Sequence, residues 1–372
     1  MKKILIIDDG IEFDSITVRK NPSGGAENAF VSMVESLAKF YEIKVYNNCR
    51  NIGYHYGVFW EKLTPKIKNE KFDVLILNRG DKFLNFRKEC SNRIFWIHNP
   101  ADYLLKFRYL SKLFLNPTKI VFSSNYHLKT YPKWAPSKNR HVIPYGIDNA
   151  FIKSPKVVVP KRPIAIFTSN PLRGLNWLLD RWEYDVFKKV PKAELHIYSG
   201  AETYGKFGIK HADKIKYILD RAKRLRNMGV RLFKPLNRVN LKKKILKAQI
   251  FLYQGSKEET FCMAVAEAQA LGIPAVVCDY GCMNERVKNK VTGFVCKNNL
   301  SFSDKTVELL KNKNLWKQIS GNIYKNNKLI SSKSDTIQNK KKKFKKLNFD
   351  ENKESYFIKG SSYTGKVDLN II

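Results

Sequence analysis

Acidic residues are scarce in this sequence. Its 372 residues include 33 Asp and Glu against 69 Lys and Arg, a formal net charge of +36. Such an excess predicts attraction to polyanions: nucleic acid, anionic lipid or phosphorylated substrates. It is equally the mark of a lysine-rich solvated surface. The densest stretch, Tyr204 to Gln249, holds fifteen Lys and Arg against Asp213 and Asp220. Cysteine motifs are missing: Cys49, Cys90, Cys262, Cys278, Cys282 and Cys296 form no Cys-x-x-Cys pair and no Cys/His spacing typical of zinc. A chain of this length needs no disulfide framework, so a reducing, cytoplasmic compartment is expected. No apolar run reaches the roughly 20 residues of a membrane span, so a soluble or peripheral protein is expected. The N-terminal run Ile4–Ile7 is short and ends in Asp8-Asp9, which suits a buried parallel strand rather than a signal segment. Asp-x-Asp does not occur, which removes the usual carboxylates for a metal-bridged diphosphate, and no metal is expected.

What is present fits a folded protein of two α/β domains. Hydrophobic residues make up 43% and aromatics 13%, enough for two cores. Short β-branched or aromatic runs alternate with helical stretches, which argues for parallel sheets. The first series of strands is Ile4–Ile7, Ile43–Tyr46, Val74–Leu77, Ile94–Ile97, Ile120–Phe122 and Val142–Ile143, with helices over Ala26–Phe40 and Tyr103–Phe114. A second series is Ile164–Phe167, Leu195–Tyr198, Val230–Phe233, Ile250–Tyr253, Ala275–Cys278 and Phe294–Val295. Three prolines in Ser154–Pro163 mark a linker. The expected division is 1–152, a linker over 153–163, 164–330, and a lysine-rich, weakly ordered tail over 331–372. Two such domains in one chain predict a ligand cleft between them.

The most informative segment runs from Ser256 to Val277. Its pattern predicts a helix from about Thr260 to Leu271, stopped by Gly272 and Pro274. Glu259 then falls just before the helix N-terminus, where free N–H groups favour anions. Glu267 lies about 12 Å further along the axis, a separation suited to two carboxylates gripping distant hydroxyls of one elongated ligand. Carboxylates are good bidentate acceptors for vicinal hydroxyls. The plainer alternative makes Glu259 a dipole partner and Glu267 a residue of a wet face.

The string Glu259-x7-Glu267-Ala268-x-Ala270-x-Gly272-x-Pro274, with Ser256 and Phe261, resembles the donor-site signature of retaining glycosyltransferases of the GT-B fold, family 4 (glycosyl transferases group 1). The resemblance implies that Glu267 holds the ribose of a nucleotide and Glu259 contacts the transferred sugar, with Ser256, Thr260 and Phe261 in the same donor-binding set. Glu258 rivals Glu259 by adjacency but lacks the seven-residue gap. Four weaker signals follow in family order. Gly24 and Gly25 resemble a Gly-Gly loop facing acceptor and donor phosphate. His98 ends a strand, where open α/β sheets place ligands, and matches a cleft histidine able to bond a sugar hydroxyl or the acceptor. His141–Asp148 resembles the crossover strand end, with Tyr145 in place of the usual Asn. Thr168–Leu175 resembles the phosphate loop: Arg173 stands at the Lys position, and Ser169 and Asn170 lie where the upstream Arg is missing. Gly200 resembles the glycine at which backbone meets the nucleotide.

The implied architecture is α/β, two Rossmann-like domains facing a central cleft, with an acceptor-side first domain and a donor-side second. The implied reaction moves a hexosyl unit from a nucleotide diphosphate sugar to a glycan or lipid-linked acceptor, with retention and without metal or further cofactor, in polysaccharide- or lipopolysaccharide-type biosynthesis. His98, Glu259 and Arg173 are the catalytic candidates. A polyanion- or nucleic-acid-binding protein and a sugar-nucleotide epimerase are the rival readings; no recognised nucleic-acid reader motif appears, and no specific nucleic-acid partner is expected. The segment Ala101–Phe114 mixes apolar bulk with Lys106, Arg108 and Lys112. It either faces the first core or docks peripherally on the anionic inner face of a membrane.

Overall fold

Apolar runs of four to six residues, buried on both faces, form the central strands of two largely parallel sheets. The computed structural model describes residues 2–87, 90, 92–148, 151 and 158–327, with the backbone of 356–357 and 366–367. The first part of the expected linker, 153–157, and the expected tail (apart from those two dipeptides) lie outside the described residues. Two units are resolved: one holds Met1–Val18 and Ala26–Asp148, the other Arg19–Gly25 and Asn149–Lys328.

In the first unit the strands are β1 (Lys3–Asp8), β2 (Glu42–Asn47), β3 (Gly53–His55), β4 (Val58–Lys62), β5 (Val74–Asn78), β6 (Arg93–Trp96), β7 (Lys119–Phe122) and β8 (Arg140–Val142). Their order is β3-β4-β2-β1-β5-β6-β7-β8, parallel throughout except for β3 against β4. Leu5, Ile7, Leu75, Leu77, Phe95, Ile97, Ile120 and Phe122 line one core; alternate positions face the other side. There Phe30 of helix α1 (Gly25–Leu37) stacks on Trp96 at 6.1 Å. The β3–β4 hairpin at this edge of the sheet was not expected, because its strands are only three and five residues long.

The stretch expected as one helix over Tyr103–Phe114 is broken. A 3₁₀ turn, Ala101–Leu105, is followed by helix α2 (Phe107–Leu115), with Lys106 extended between them. In one continuous helix Leu104 and Tyr109 would point about 140° apart. The break lets Leu104, Tyr109 and Leu113 all reach the core.

The second unit carries β9 (Ile164–Phe167), β10 (Glu194–Tyr198), β11 (Val230–Phe233), β12 (Ile250–Tyr253), β13 (Ala275–Cys278) and β14 (Gly293–Cys296). All pairs are parallel, in the order β11-β10-β9-β12-β13-β14. This is the doubly wound nucleotide-fold order, which reverses between β9 and β12. Its helices include α3 (Leu175–Arg181), α4 (Ala212–Arg224), α5 (Arg238–Ile245), α6 (Met263–Ala270) and α7 (Asn299–Lys311). Among the described residues no helix is long and apolar enough to cross a membrane.

His127 in the first unit is fully buried. Its Nε2–H donates to the Asn99 carbonyl at 2.7 Å and its Nδ1 accepts from the Ser123 N–H at 3.1 Å. Burial therefore lowers its pKa from 6.5 to about 4. The unfolded chain binds this proton more tightly, so the stability contribution is complete above about 6.5 and is lost as pH falls from there toward 4. We expect the slope of unfolding free energy against pH in that window to shrink in His127→Asn, by at most about 1.4 kcal/mol per pH unit. Denaturant titrations at several pH values measure it; parallel slopes for the two proteins would show that the native histidine is already protonated.

Candidate functional site

The carboxyl ends of β9 and β12, at the reversal of strand order, are where this topology places ligands. The loop after β9 is organised by its own polar groups. Asn170 accepts from the Leu172 N–H through Oδ1 and from the Arg173 N–H through its carbonyl, each at 2.9 Å. Ser199 Oγ, at the end of β10, donates to the Ser169 carbonyl at 2.5 Å. Ser169 and Asn170 thus shape the loop that presents Arg173. Gly174 follows at φ +82°, and a Cβ built there would sit 2.6 Å from Gln254 Cβ. Only glycine meets both demands, and it brings the β9 loop onto the β12 loop.

The β12 loop holds Glu259. Ser256 accepts from the Glu258 N–H through Oγ (3.1 Å) and from the Glu259 N–H through its carbonyl (3.0 Å). The Glu259 carbonyl accepts from the Cys282 N–H at 3.0 Å. Gly281, at φ +58°, allows that approach, since its Cβ would lie 2.6 Å from the same oxygen. Glu258 points to solvent, whereas Glu259 is 4% exposed and ion-paired to Arg173 through Oε1 and Nη1. Arg173 lines an open depression of ≈ 230 Å³ with Leu172, Gly174, Gln254, Gly255, Ser256, Lys257 and Tyr280.

The expected helix start needs correction. Cys262 takes φ +61°, so α6 begins at Met263 rather than Thr260. A left-handed residue cannot continue a right-handed helix. Glu259 is therefore a loop residue, and the axial separation expected from Glu267 does not apply. Gly272, at φ +82°, closes the helix as expected. Thr260 is buried, and Phe261 packs beneath the Arg286 guanidinium at 4.3 Å. Glu267, in the second turn of α6, is 3% exposed rather than on a wet face, and pairs through Oε1 with Arg238 Nη1. Nothing in the sequence pattern flagged Arg238. Gly200 is less constrained: its Cβ would meet only the mobile carboxyl end of Glu202. Gly24 and Gly25 do not take positive φ. A Cβ on Gly25, which belongs to the second unit, would lie 3.0 Å from Met263 Cβ.

In the first unit, strand order reverses between β1 and β5, and His98 sits beside that point. Asn78 donates to Asp8 Oδ2, which turns its Oδ1 toward His98; Oδ1 accepts from His98 Nε2–H at 2.6 Å. His98 Nδ1 accepts from the Tyr145 hydroxyl at 2.5 Å. Burial, with the Arg79 charge nearby, pushes the His98 pKa well below 6.5, so the ring is neutral with both nitrogens engaged. Arg79, at φ +72°, is itself held between Asp8 (3.2 Å) and Glu27 (2.7 Å). Burial raises the Asp8 pKa against the opposing effects of Arg79 and Asn78. Sequence reasoning singled out His98 alone; the polar residues Asp8, Asn78 and Arg79 at the ends of apolar strands were the available signal. Among the described residues no group of three His, Cys, Asp or Glu is placed to hold a metal.

Residues 188–326 match the family model for glycosyl transferases group 1. The fold is shared with solved structures at low identity. Anabaena HepE in complex with UDP-glucose has TM-score 0.67 at 14% identity, covering 88% of this chain and 94% of that one. Sucrose-phosphate synthase from Thermosynechococcus elongatus has TM-score 0.67 at 11% identity, covering 93% and 99%. WaaG, a glycosyltransferase involved in lipopolysaccharide biosynthesis, has TM-score 0.63 at 10% identity, covering 87% and 95%. No curated protein matches the chain in sequence. The chain has the GT-B fold of glycosyltransferases, two Rossmann-like α/β units. The group 1 family match lies within the second of these units.

The packing around Gly174 makes a sharp test of the loop geometry. Gly174→Ala should lower Tm by roughly 2–8 °C, from left-handed strain and the clash with Gln254. Gly200→Ala should leave Tm unchanged. Thermal melts of the two variants that superimpose would contradict the loop contact described here.

Proposed function

We propose that the chain transfers a hexosyl unit from a nucleotide diphosphate sugar to a glycan or lipid-linked acceptor. Retention of configuration and independence of metal or any further cofactor are part of the reading. The observation that carries it is the buried Glu259, which falls inside the group 1 family match, paired with the half-exposed Arg173 at the β9/β12 reversal point. Arg173 would exchange Glu259 for the donor diphosphate, since a guanidinium fork suits phosphate oxygens. Glu259, released, would meet the transferred sugar, and Glu267 the ribose. The loop backbone of Ser169, Asn170, Gly200 and Ser256 would shape the donor pocket, and Thr260 and Phe261 would hold Glu259 in place. The first unit would take the acceptor, and Gly24 and Gly25, which belong to the second unit, would lie near the donor phosphate. His98 would steady that surface through Asn78 and Asp8. The HepE structure holds UDP-glucose and WaaG is described as acting in lipopolysaccharide biosynthesis; a similar donor and a surface-polysaccharide role in the cytoplasm are proposed here by likeness of fold.

A transfer assay with a panel of UDP- and GDP-sugars tests the reading. We expect transfer from at least one donor, insensitive to EDTA, with the donor's anomeric configuration kept. Epimerised donor without transfer, or activity that EDTA abolishes and manganese restores, would replace this mechanism with another.

Peripheral docking on an anionic membrane is the accompanying proposal. One side of α2 is in the core, but Phe107, Phe114 and Leu115 are 84%, 76% and 70% exposed. Phe107 and Phe114, seven residues apart, share a helix face. Lys106 and Arg108 flank them at the surface, while Lys112 is engaged by the Asp81 carboxylate at 2.9 Å. Flotation should recover the protein with anionic but not neutral vesicles, and 1 M salt should release it as the Debye length falls from about 10 Å at 0.1 M to about 3 Å. Phe107→Ser with Phe114→Ser should abolish recovery; a variant that floats as well as the wild type would move the contact elsewhere.

A further inference from the structure

Arg238 is the first residue of α5. Asn237 caps the helix, its Oδ1 accepting from the Asn240 N–H at 3.1 Å. A cation at that position opposes the helix dipole, which favours negative charge at the N-terminus. Its side chain is also mostly withdrawn from water, 17% exposed, and its partner Glu267 is more deeply buried. Two buried charges with these desolvation costs are weak evidence for stability. The placement is better explained by what the pair presents than by what it contributes to folding.

We propose that Arg238 is a positioning residue of the donor site. It keeps the buried Glu267 carboxylate ionised and aims it, with Oε1 taken by the guanidinium and Oε2 directed to the vicinal hydroxyls of a nucleotide ribose. This rests on the ribose role proposed for Glu267. It adds that recognition of the ribose belongs to an Arg–Glu pair bridging α5 and α6, with Arg238 touching no substrate itself. Without the arginine, the carboxylate would be an uncompensated buried charge that either swings away or takes up a proton. In both cases it loses the strong, charge-assisted form of its bond to a hydroxyl.

The experiment compares binding of UDP and GDP with binding of their 2′,3′-dideoxy analogues, by calorimetry on the full chain. The wild type should prefer the ribose form of the nucleotide it binds by roughly ten- to a hundredfold, the range of a charged hydrogen bond. In Arg238→Met that preference should fall to within about threefold of unity, while the dideoxy affinity stays near the wild-type value. Arg238→Lys should restore part of the preference. Circular dichroism identifies a variant that fails to fold, and Arg238→Lys, which keeps the charge, then carries the comparison through a reduced preference. If Arg238→Met and Arg238→Lys both keep the full ribose preference, Arg238 is structural only and the inference falls, while Glu267→Ala still losing the preference leaves the ribose reading intact. A wild type that binds ribose and dideoxyribose forms equally would falsify the ribose role of Glu267 and the inference with it.

Discussion

Burying a carboxylate is expensive unless a cation answers it, and the second unit of this protein does so twice. Glu259 lies in a loop and Glu267 in a helix, both nearly without solvent contact, and each is met by an arginine from a different element. Most of the local architecture serves those two encounters. Gly174 lets the loop carrying Arg173 lie on the loop after β12, and Gly281 lets the loop after β13 hold the Glu259 backbone. Cys262, in a left-handed conformation, ends the loop and starts α6 at a point that places Glu267 opposite Arg238. Non-glycine residues in such conformations cost energy and persist where surrounding structure demands them.

The first unit solves a related problem with a chain of hydrogen bonds. Tyr145 donates to His98, His98 to Asn78, and Asn78 to Asp8, which also receives the Gly10 N–H and the Arg79 guanidinium. Every donor in the series points toward one buried carboxylate. That direction fixes the histidine tautomer and accounts for a neutral ring despite its polar company. The Tyr that stands where the resembling family has Asn is the first donor of the series, so the departure from the motif has a structural use here.

Much of the fold was legible because parallel strands buried on both faces are continuous apolar runs. All six strands of the second unit and six of the eight in the first were recognisable this way. Ile250–Tyr253 and Ala275–Cys278 are fully buried across four residues each, and read as such. The hairpin over Gly53–Lys62 was not legible, since an edge pair of three and five residues shows no clear period. The break at Lys106 was hidden for a different reason: nothing local forbids a helix there, and only the demand that Leu104 and Tyr109 share one core imposes it.

By itself, then, the sequence determined the two-fold α/β series, the end of α6 at Gly272, and the pair of glutamates, because these depend on run length, on glycine's conformational freedom and on a fixed spacing. It could also separate Glu259 from Glu258 by that spacing, and burial agrees, with Glu258 in solvent and Glu259 inside. Only tertiary structure decided which charges meet. Arg173 and Glu259 are 86 positions apart in the chain and Arg238 and Glu267 are 29 apart, and no local propensity records either pairing. The same holds for Asp8, Asn78 and His98, which come from three separate strand ends and become neighbours because β1, β5 and β6 lie side by side. Contacts of this kind are properties of strand order, and strand order is settled by packing whole elements together rather than by any short stretch of residues.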